Sequence, residues 1–105
     1  MNAQYLWFNG KLQDRESGSC SLLDHGLHYG TGVFEGIRCY ETPQGPAVFR
    51  LDAHLERLLR GGRLLGMELD ADELRSAIFE TLEANGHSNA YIRPIAYYGA
   101  GGLGL

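Results

Sequence analysis

The sequence predicts an α+β domain in which a largely antiparallel sheet packs with two helices. Three observations lead there. Short runs of strand composition, separated by an Asn-Gly pair and by a Pro- and Gly-rich turn, fill the first half of the chain. Two segments of helical periodicity follow, and a strand-like run returns after them.

Tyr5 to Gln13 reads as a hairpin, because Asn9-Gly10 offers the positive φ angles of a type I′ turn between short apolar strands. Asp14 to Gly18 is polar and reads as a loop. Ser19 to Gly32 holds three glycines without a clean period, which fits a short helical turn or loop. Val33 to Tyr40 has strand composition, with Ile37 and Cys39 facing one side and Arg38 and Tyr40 the other. Thr42 to Pro46 is a turn, and Ala47 to Arg50 pairs back as a second hairpin.

The first helix places Leu51, Leu55, Leu58, Leu59 and Leu65 near one face, although Gly61-Gly62 weakens its middle by about 1 kcal/mol per glycine. The second starts at an Asp70 N-cap, with Glu73 positioned for a capping box and Leu69 and Leu74 for a hydrophobic staple. Leu74, Ala77, Ile78 and Leu82 form its apolar stripe, and Asn85-Gly86 ends it. Ala90 to Tyr98 is the returning strand, which Pro94 confines to an edge or a bulge.

Composition removes several function classes. The 105 residues are 44% hydrophobic and 21% charged, as expected of one globular domain. The net charge of −4 speaks against a nucleic-acid partner held through its phosphates. No run is long enough for a membrane span, and the first twenty residues lack a secretory layout. Two cysteines are too few for a disulfide scaffold, so a cytoplasmic location is expected. Of the nine basic residues eight are arginine, and Lys11 is the single lysine.

Several motifs have a functional and a plain reading. Gly99 to Gly104 spells G-x-G-x-x-G after a strand, yet no helix or ribose-binding acid follows within these residues. A glycine loop is preferred to a dinucleotide-binding fragment. His25 and His28 beside Asp24 lack a further ligand type nearby, so loop histidines bonded to backbone are expected rather than a metal site. Cys20 and Cys39 read as small buried packing residues. Charges on the first helix, including Glu56 and Arg60 at i, i+4, form a solvated face, while Arg57 has apolar neighbours and points to a cleft. Arg93, between Ile92 and Pro94, needs an anion or an internal salt bridge.

The run His28-Tyr29-Gly30-Thr31-Gly32-Val33-Phe34-Glu35-Gly36-Ile37-Arg38 resembles the N-terminal motif of branched-chain amino-acid aminotransferases, which are fold-type IV pyridoxal-phosphate enzymes. Trp7 to Gly10, Gly45 to Arg50, His54 to Leu58 and Ala90 to Pro94 agree in order, so the resemblance spans residues 1–105. It implies the small N-terminal domain of such an enzyme, incomplete at its C-terminal end. It also implies transfer of the amino group of leucine, isoleucine or valine to 2-oxoglutarate through pyridoxal 5′-phosphate. By resemblance Arg57 binds the cofactor phosphate, and Tyr29 and Phe34 wall the substrate pocket. Gly36 lies close to the substrate, while Arg38, Tyr91 and Arg93 belong to the substrate-binding set, the last two for carboxylates. Leu105 reaches the neighbouring subunit's pocket, which implies a homo-oligomer, a dimer or higher.

Transamination also needs a lysine to carry the cofactor and move the proton. Lys11, beside an Asn-Gly turn, is expected to be solvated and fully protonated. The chain alone is therefore expected to be inactive and to bind the cofactor weakly or not at all. A non-catalytic dimerisation or regulatory module built from the same domain is the alternative. Apolar surface and an unpaired sheet edge are expected to drive self-association.

Overall fold

Asn9 and Gly10 adopt φ of 49° and 89° and join β1 (Tyr5–Phe8) to β2 (Lys11–Asp14) as an antiparallel hairpin. The computed structural model describes residues 3–100. A single 3-10 turn, Arg15–Ser17, follows β2. The glycine-rich stretch beyond it contains one short helix, α1 (His25–Tyr29), closed by Gly30 at φ 68° in the left-handed region. The described residues thus hold three helices, not two: α1, α2 (Leu51–Leu64) and α3 (Ala71–Asn85).

The two long strands expected from the sequence are each broken once. Residues 33–40 divide into β3 (Gly32–Phe34) and β4 (Ile37–Thr42). The strand expected over 90–98 divides into β6 (Ala90–Ile92) and β7 (Ile95–Tyr97). The register does not change across the gap. Gly32 lies opposite Tyr97 and Phe34 opposite Ile95, then Ile37 opposite Ile92 and Cys39 opposite Ala90. The interruption therefore falls at Glu35-Gly36 on one side and Arg93-Pro94 on the other. Pro94 has no N–H to donate, so the ladder cannot continue through it. Its carbonyl still accepts from the Glu35 N–H at 3.1 Å. In place of one sheet there are three small antiparallel ones: β1-β2, β3-β7, and β5-β4-β6 with β5 at Gly45–Val48.

α2 packs on β3 and on α3, and α3 packs on the hairpin. Leu51, Leu55 and Leu58 are buried at i, i+4 and i+7, and the stripe ends on buried Gly62, with Leu65 partly exposed. Leu59 is only half-buried. The Gly61-Gly62 pair has a packing reason. A Cβ on Gly61 would lie 3.2 Å from the Val33 side chain, and one on Gly62 would lie 3.0 Å from Leu69. Helix propensity is given up where β3 and the segment after α2 come close. Ile37, Leu51, Leu55 and Ile78 make the core cluster, with Val48, Leu74, Leu82 and Ile92 around it.

Asp70 caps α3 as its position predicts, accepting from the backbone N–H groups of Asp72 at 2.9 Å and Glu73 at 3.3 Å. Gly86 closes the helix at φ 65°. Asn85, in the last turn, ties the hairpin to α3. Its Oδ1 accepts from the N–H of Gln4 and Tyr5, and its Nδ2 donates to the Tyr5 carbonyl. Asp70→Ala removes the cap from an exposed helix end and is expected to lower the unfolding free energy by about 1 kcal/mol. The urea midpoint, read by far-ultraviolet circular dichroism, checks this.

Candidate functional site

The alternation of β3 and β4 carries through the break. Glu35 is buried in step with Ile37 and Cys39, whereas Phe34, Arg38 and Tyr40 are exposed. Glu35 is a carboxylate only 5% exposed on a face that is otherwise apolar, a costly placement unless the charge is paired. Two residues one turn apart on α2 supply the partners. Arg57 donates from Nε to Glu35 Oε2 at 2.7 Å and from Nη2 to Oε1 at 2.8 Å. His54 Nδ1 lies 2.7 Å from Oε1 and is the donor there, since an ionised carboxylate only accepts. The Arg57 hydrogen bonds are the main reason the Glu35 carboxyl is held down at about 2, against the upward push of burial and with help from His54. The Arg57 side chain is itself 68% exposed. Its Nε–Nη2 edge is taken by Glu35, which leaves the Nη1–Nη2 edge free of that carboxylate.

The outward face carries a different set. The Arg93 guanidinium lies 4.5 Å from the centre of the Phe34 ring and 5.3 Å from that of Tyr91, and its Nη2 donates to the Tyr91 hydroxyl at 2.8 Å. Arg38, cross-strand from Tyr91, sits 5.7 Å from the same ring. Among the described residues, no carboxylate forms an ion pair with Arg38 or Arg93. The internal salt bridge considered for Arg93 is therefore not what holds it; aromatic faces and a phenol do. Two guanidinium groups on one tyrosine ring make a face suited to anions. Gly36 lies directly beneath: a Cβ there would stand 2.0 Å from the Tyr91 hydroxyl.

Phe34, Gly36, Arg38, Tyr91 and Arg93 thus come together on one side of the strands, with Arg57 on the α2 side, linked to them through Glu35. Tyr29 is exposed at the end of α1, and its ring contacts are with His25 at 4.5 Å and His28 at 6.3 Å. Leu105 and most of the Gly99 to Gly104 run lie outside the described residues. Glu35 and His54 were not singled out from the sequence. A signal was available, because an acid in step with Ile37 and Cys39 on a buried strand face requires a cation nearby.

Other expectations divide. Cys39 is buried, and burial pushes its thiol up, but Cys20 is exposed, because the loop that carries it runs over the surface. Both histidines lie on α1 and not in a loop: His28 bonds the Leu22 backbone carbonyl, while His25 pairs with the Thr31 hydroxyl. Glu56 and Arg60 form the surface pair at 3.7 Å. Behind the strands, a groove of about 900 Å³ opens between the hairpin, α3 and β6-β7, with Trp7, Leu74, Ile78, Leu82 and Ile92 among its walls. Among the described residues, no helix is long and apolar enough to cross a membrane.

Fold and face together define a small α+β domain that presents the guanidinium groups of Arg38, Arg93 and Arg57 at its surface. The chain belongs to the amino-transferase class IV family, whose model matches residues 32–105. It is 42% identical over 102 residues to a branched-chain-amino-acid aminotransferase of Pseudomonas aeruginosa, covering 95% of this chain and 33% of that protein. Against the Escherichia coli branched-chain-amino-acid aminotransferase it is 40% identical over 105 residues, covering 98% and 34%. Among solved structures it resembles the T.th. branched-chain amino acid aminotransferase complexed with N-(5′-phosphopyridoxyl)-L-glutamate. The TM-score there is 0.93 at 46% identity, with 99% of this chain and 36% of that one covered. The chain therefore spans about a third of the length of the relatives it matches.

Two outcomes are expected from this geometry. The Glu35 carboxyl is depressed from 4.5 to about 2 in the folded state, so its stabilising contribution is complete above the unfolded value and is lost as pH falls from 4.5 toward 2. Urea midpoints measured from about pH 6 down to about pH 2.5 are expected to decline over that window, and Glu35→Gln to flatten that part of the decline. Gly36→Ala is expected to cost only about 1 kcal/mol, since the half-exposed Tyr91 ring can swing away, but to break the Arg93–Tyr91 bond. The Arg93 Hε resonance, shifted by the two rings, is expected to move toward its free position in the proton NMR spectrum.

Proposed function

We propose that this chain is the N-terminal small domain of a branched-chain amino-acid transaminase, moving the amino group of leucine, isoleucine or valine to 2-oxoglutarate. The observation that carries the reading is the outward face, where Arg93 and Arg38 share the Tyr91 ring with no acid paired to either among the described residues. Amino acids and 2-oxo acids all bring a carboxylate, and 2-oxoglutarate brings two. Arg93, presented by Phe34 and Tyr91, binds such a carboxylate, and Arg38 adds positive charge beside it. Phe34 and Tyr29, both exposed, give apolar and aromatic wall for a branched side chain. Gly36 keeps the floor clear, since any side chain there would displace Tyr91.

The residues present also fit pyridoxal 5′-phosphate. Arg57 offers an outward guanidinium edge already fixed in orientation, which matches phosphate oxygens. When bound, the cofactor would supply the carrier on which an amino group is held between one acid and the next. The lysine that carries the cofactor comes from outside these 105 residues. Lys11 is exposed at the start of β2, which supports this reading. The chain then supplies about a third of the working protein, which acts as a cytoplasmic homo-oligomer, and is inactive alone with weak cofactor binding.

The protein isolated from its own host tests this. The expected result is a species of about three times this chain's mass, in line with the third of its relatives' length that the chain covers. That species deaminates leucine, isoleucine or valine only when 2-oxoglutarate is present, while the 105-residue chain does neither. A species of 105 residues that dimerises without cofactor affinity would overturn the catalytic reading in favour of an assembly module.

A further inference from the structure

We infer that Glu35 is the positioning residue for the phosphate-binding guanidinium of Arg57, with His54 bracing the carboxylate from the same helix face. The inference rests on the proposed role of Arg57 and concerns what makes that role possible.

Arginine on a helix surface is a poor preorganised ligand. Its long side chain samples many rotamers, and that freedom is lost on binding an anion unless something else has already fixed it. Arg57 is 68% exposed, so packing does not fix it. The Glu35 carboxylate does, through two parallel hydrogen bonds of 2.7 and 2.8 Å. The choice of edge matters as much as the fixing. By taking Nε and Nη2 from the side, Glu35 leaves only the outer Nη1–Nη2 edge for a second bidentate partner. An incoming phosphate has one orientation to take.

Glu35 can act this way because it is itself held. It is 5% exposed, its backbone N–H is bonded to the Pro94 carbonyl, and Oε1 accepts from His54 as well as from Arg57. It is also flanked in sequence by Phe34 and Gly36, which belong to the outward face. One short segment of backbone therefore fixes the distance between the phosphate arginine and the face proposed for substrate carboxylates. The charge arrangement is consistent. A lone buried carboxylate near a phosphate would repel it, but here the negative charge is spent on Arg57 and on the His54 donor, and the outer edge of the guanidinium remains positive.

The test uses the protein as its own host makes it, with two probes, pyridoxal 5′-phosphate and pyridoxal, titrated by absorbance into the parent, Arg57→Ala, Glu35→Gln and the double variant. Arg57→Ala is expected to weaken the phosphorylated probe roughly ten- to hundredfold, the range for hydrogen bonds to charged groups. Glu35→Gln is expected to weaken it roughly tenfold while changing pyridoxal less than about twofold, and to add nothing in the Arg57→Ala background. A Glu35→Gln variant that weakens both probes equally, or weakens binding further without Arg57, would show a merely structural role and overturn the inference. So would unchanged affinity for the phosphorylated probe. If Arg57→Ala itself binds that probe like the parent, the reading of Arg57 fails first, and the two failures are told apart. Should Glu35→Gln not fold, His54→Ala, which leaves the Arg57 pair in place, is read by the same ratio of affinities. A smaller loss confined to the phosphorylated probe supports the inference, and none overturns it.

Discussion

Glu35 occupies a position that strand alternation assigns to the core, and the neighbouring positions on that face, Ile37 and Cys39, are among the most buried side chains. An ionised carboxylate there is tolerated only with its oxygens matched to donors. That requirement sets where α2 must lie, since Arg57 and His54 have to reach the same two atoms. Glycines admit the same approach: at Gly61 any side chain would press on Val33, two residues before Glu35.

The break in the strands is the second constraint, and it depends on local chemistry. Pro94 removes one donor from the ladder, yet the register on either side is unchanged. The chain thus passes through the gap without resetting which side chains face outward, and Phe34, Arg38, Tyr91 and Arg93 remain on one surface. A bulge with a register shift would have turned half of them inward. The gap also leaves room beneath Tyr91 that Gly36 alone can share. The outward guanidinium groups and the interruption of the ladder are therefore parts of the same feature, held by the Glu35 N–H to Pro94 carbonyl bond.

Much of the fold was legible in the sequence because the signals were local. Asn9-Gly10 specifies its turn through backbone conformation, Asp70 its helix start through a side-chain oxygen, and Gly86 its helix end through a left-handed φ. The broken strands were legible only in part: Pro94 marks an edge or a bulge within residues 90–98, but nothing in either segment states that Glu35-Gly36 will stand opposite Arg93-Pro94. Nor was the exposure of Cys20 foreseeable from residue type, since a cysteine on a surface loop has no local mark that separates it from one in a core such as Cys39.

The candidate site shows the same division. The sequence alone determined the residue types, their order and the family they resemble, because motifs such as Tyr29 to Arg38 are contiguous and survive as text. It also determined that Arg93 requires a partner, since a guanidinium beside apolar strand residues must be satisfied somehow. Only the tertiary structure decided which partner. The rings of Tyr91 on β6 and Phe34 on β3 hold Arg93, which lies in the gap between β6 and β7, while the carboxylate went to Arg57, 22 residues distant along the chain. The reason is physical. Pairings of charge depend on which faces meet after packing, and that is settled by the buried volume of α2 against β3 and β4, not by any property a residue carries in its own neighbourhood of the chain.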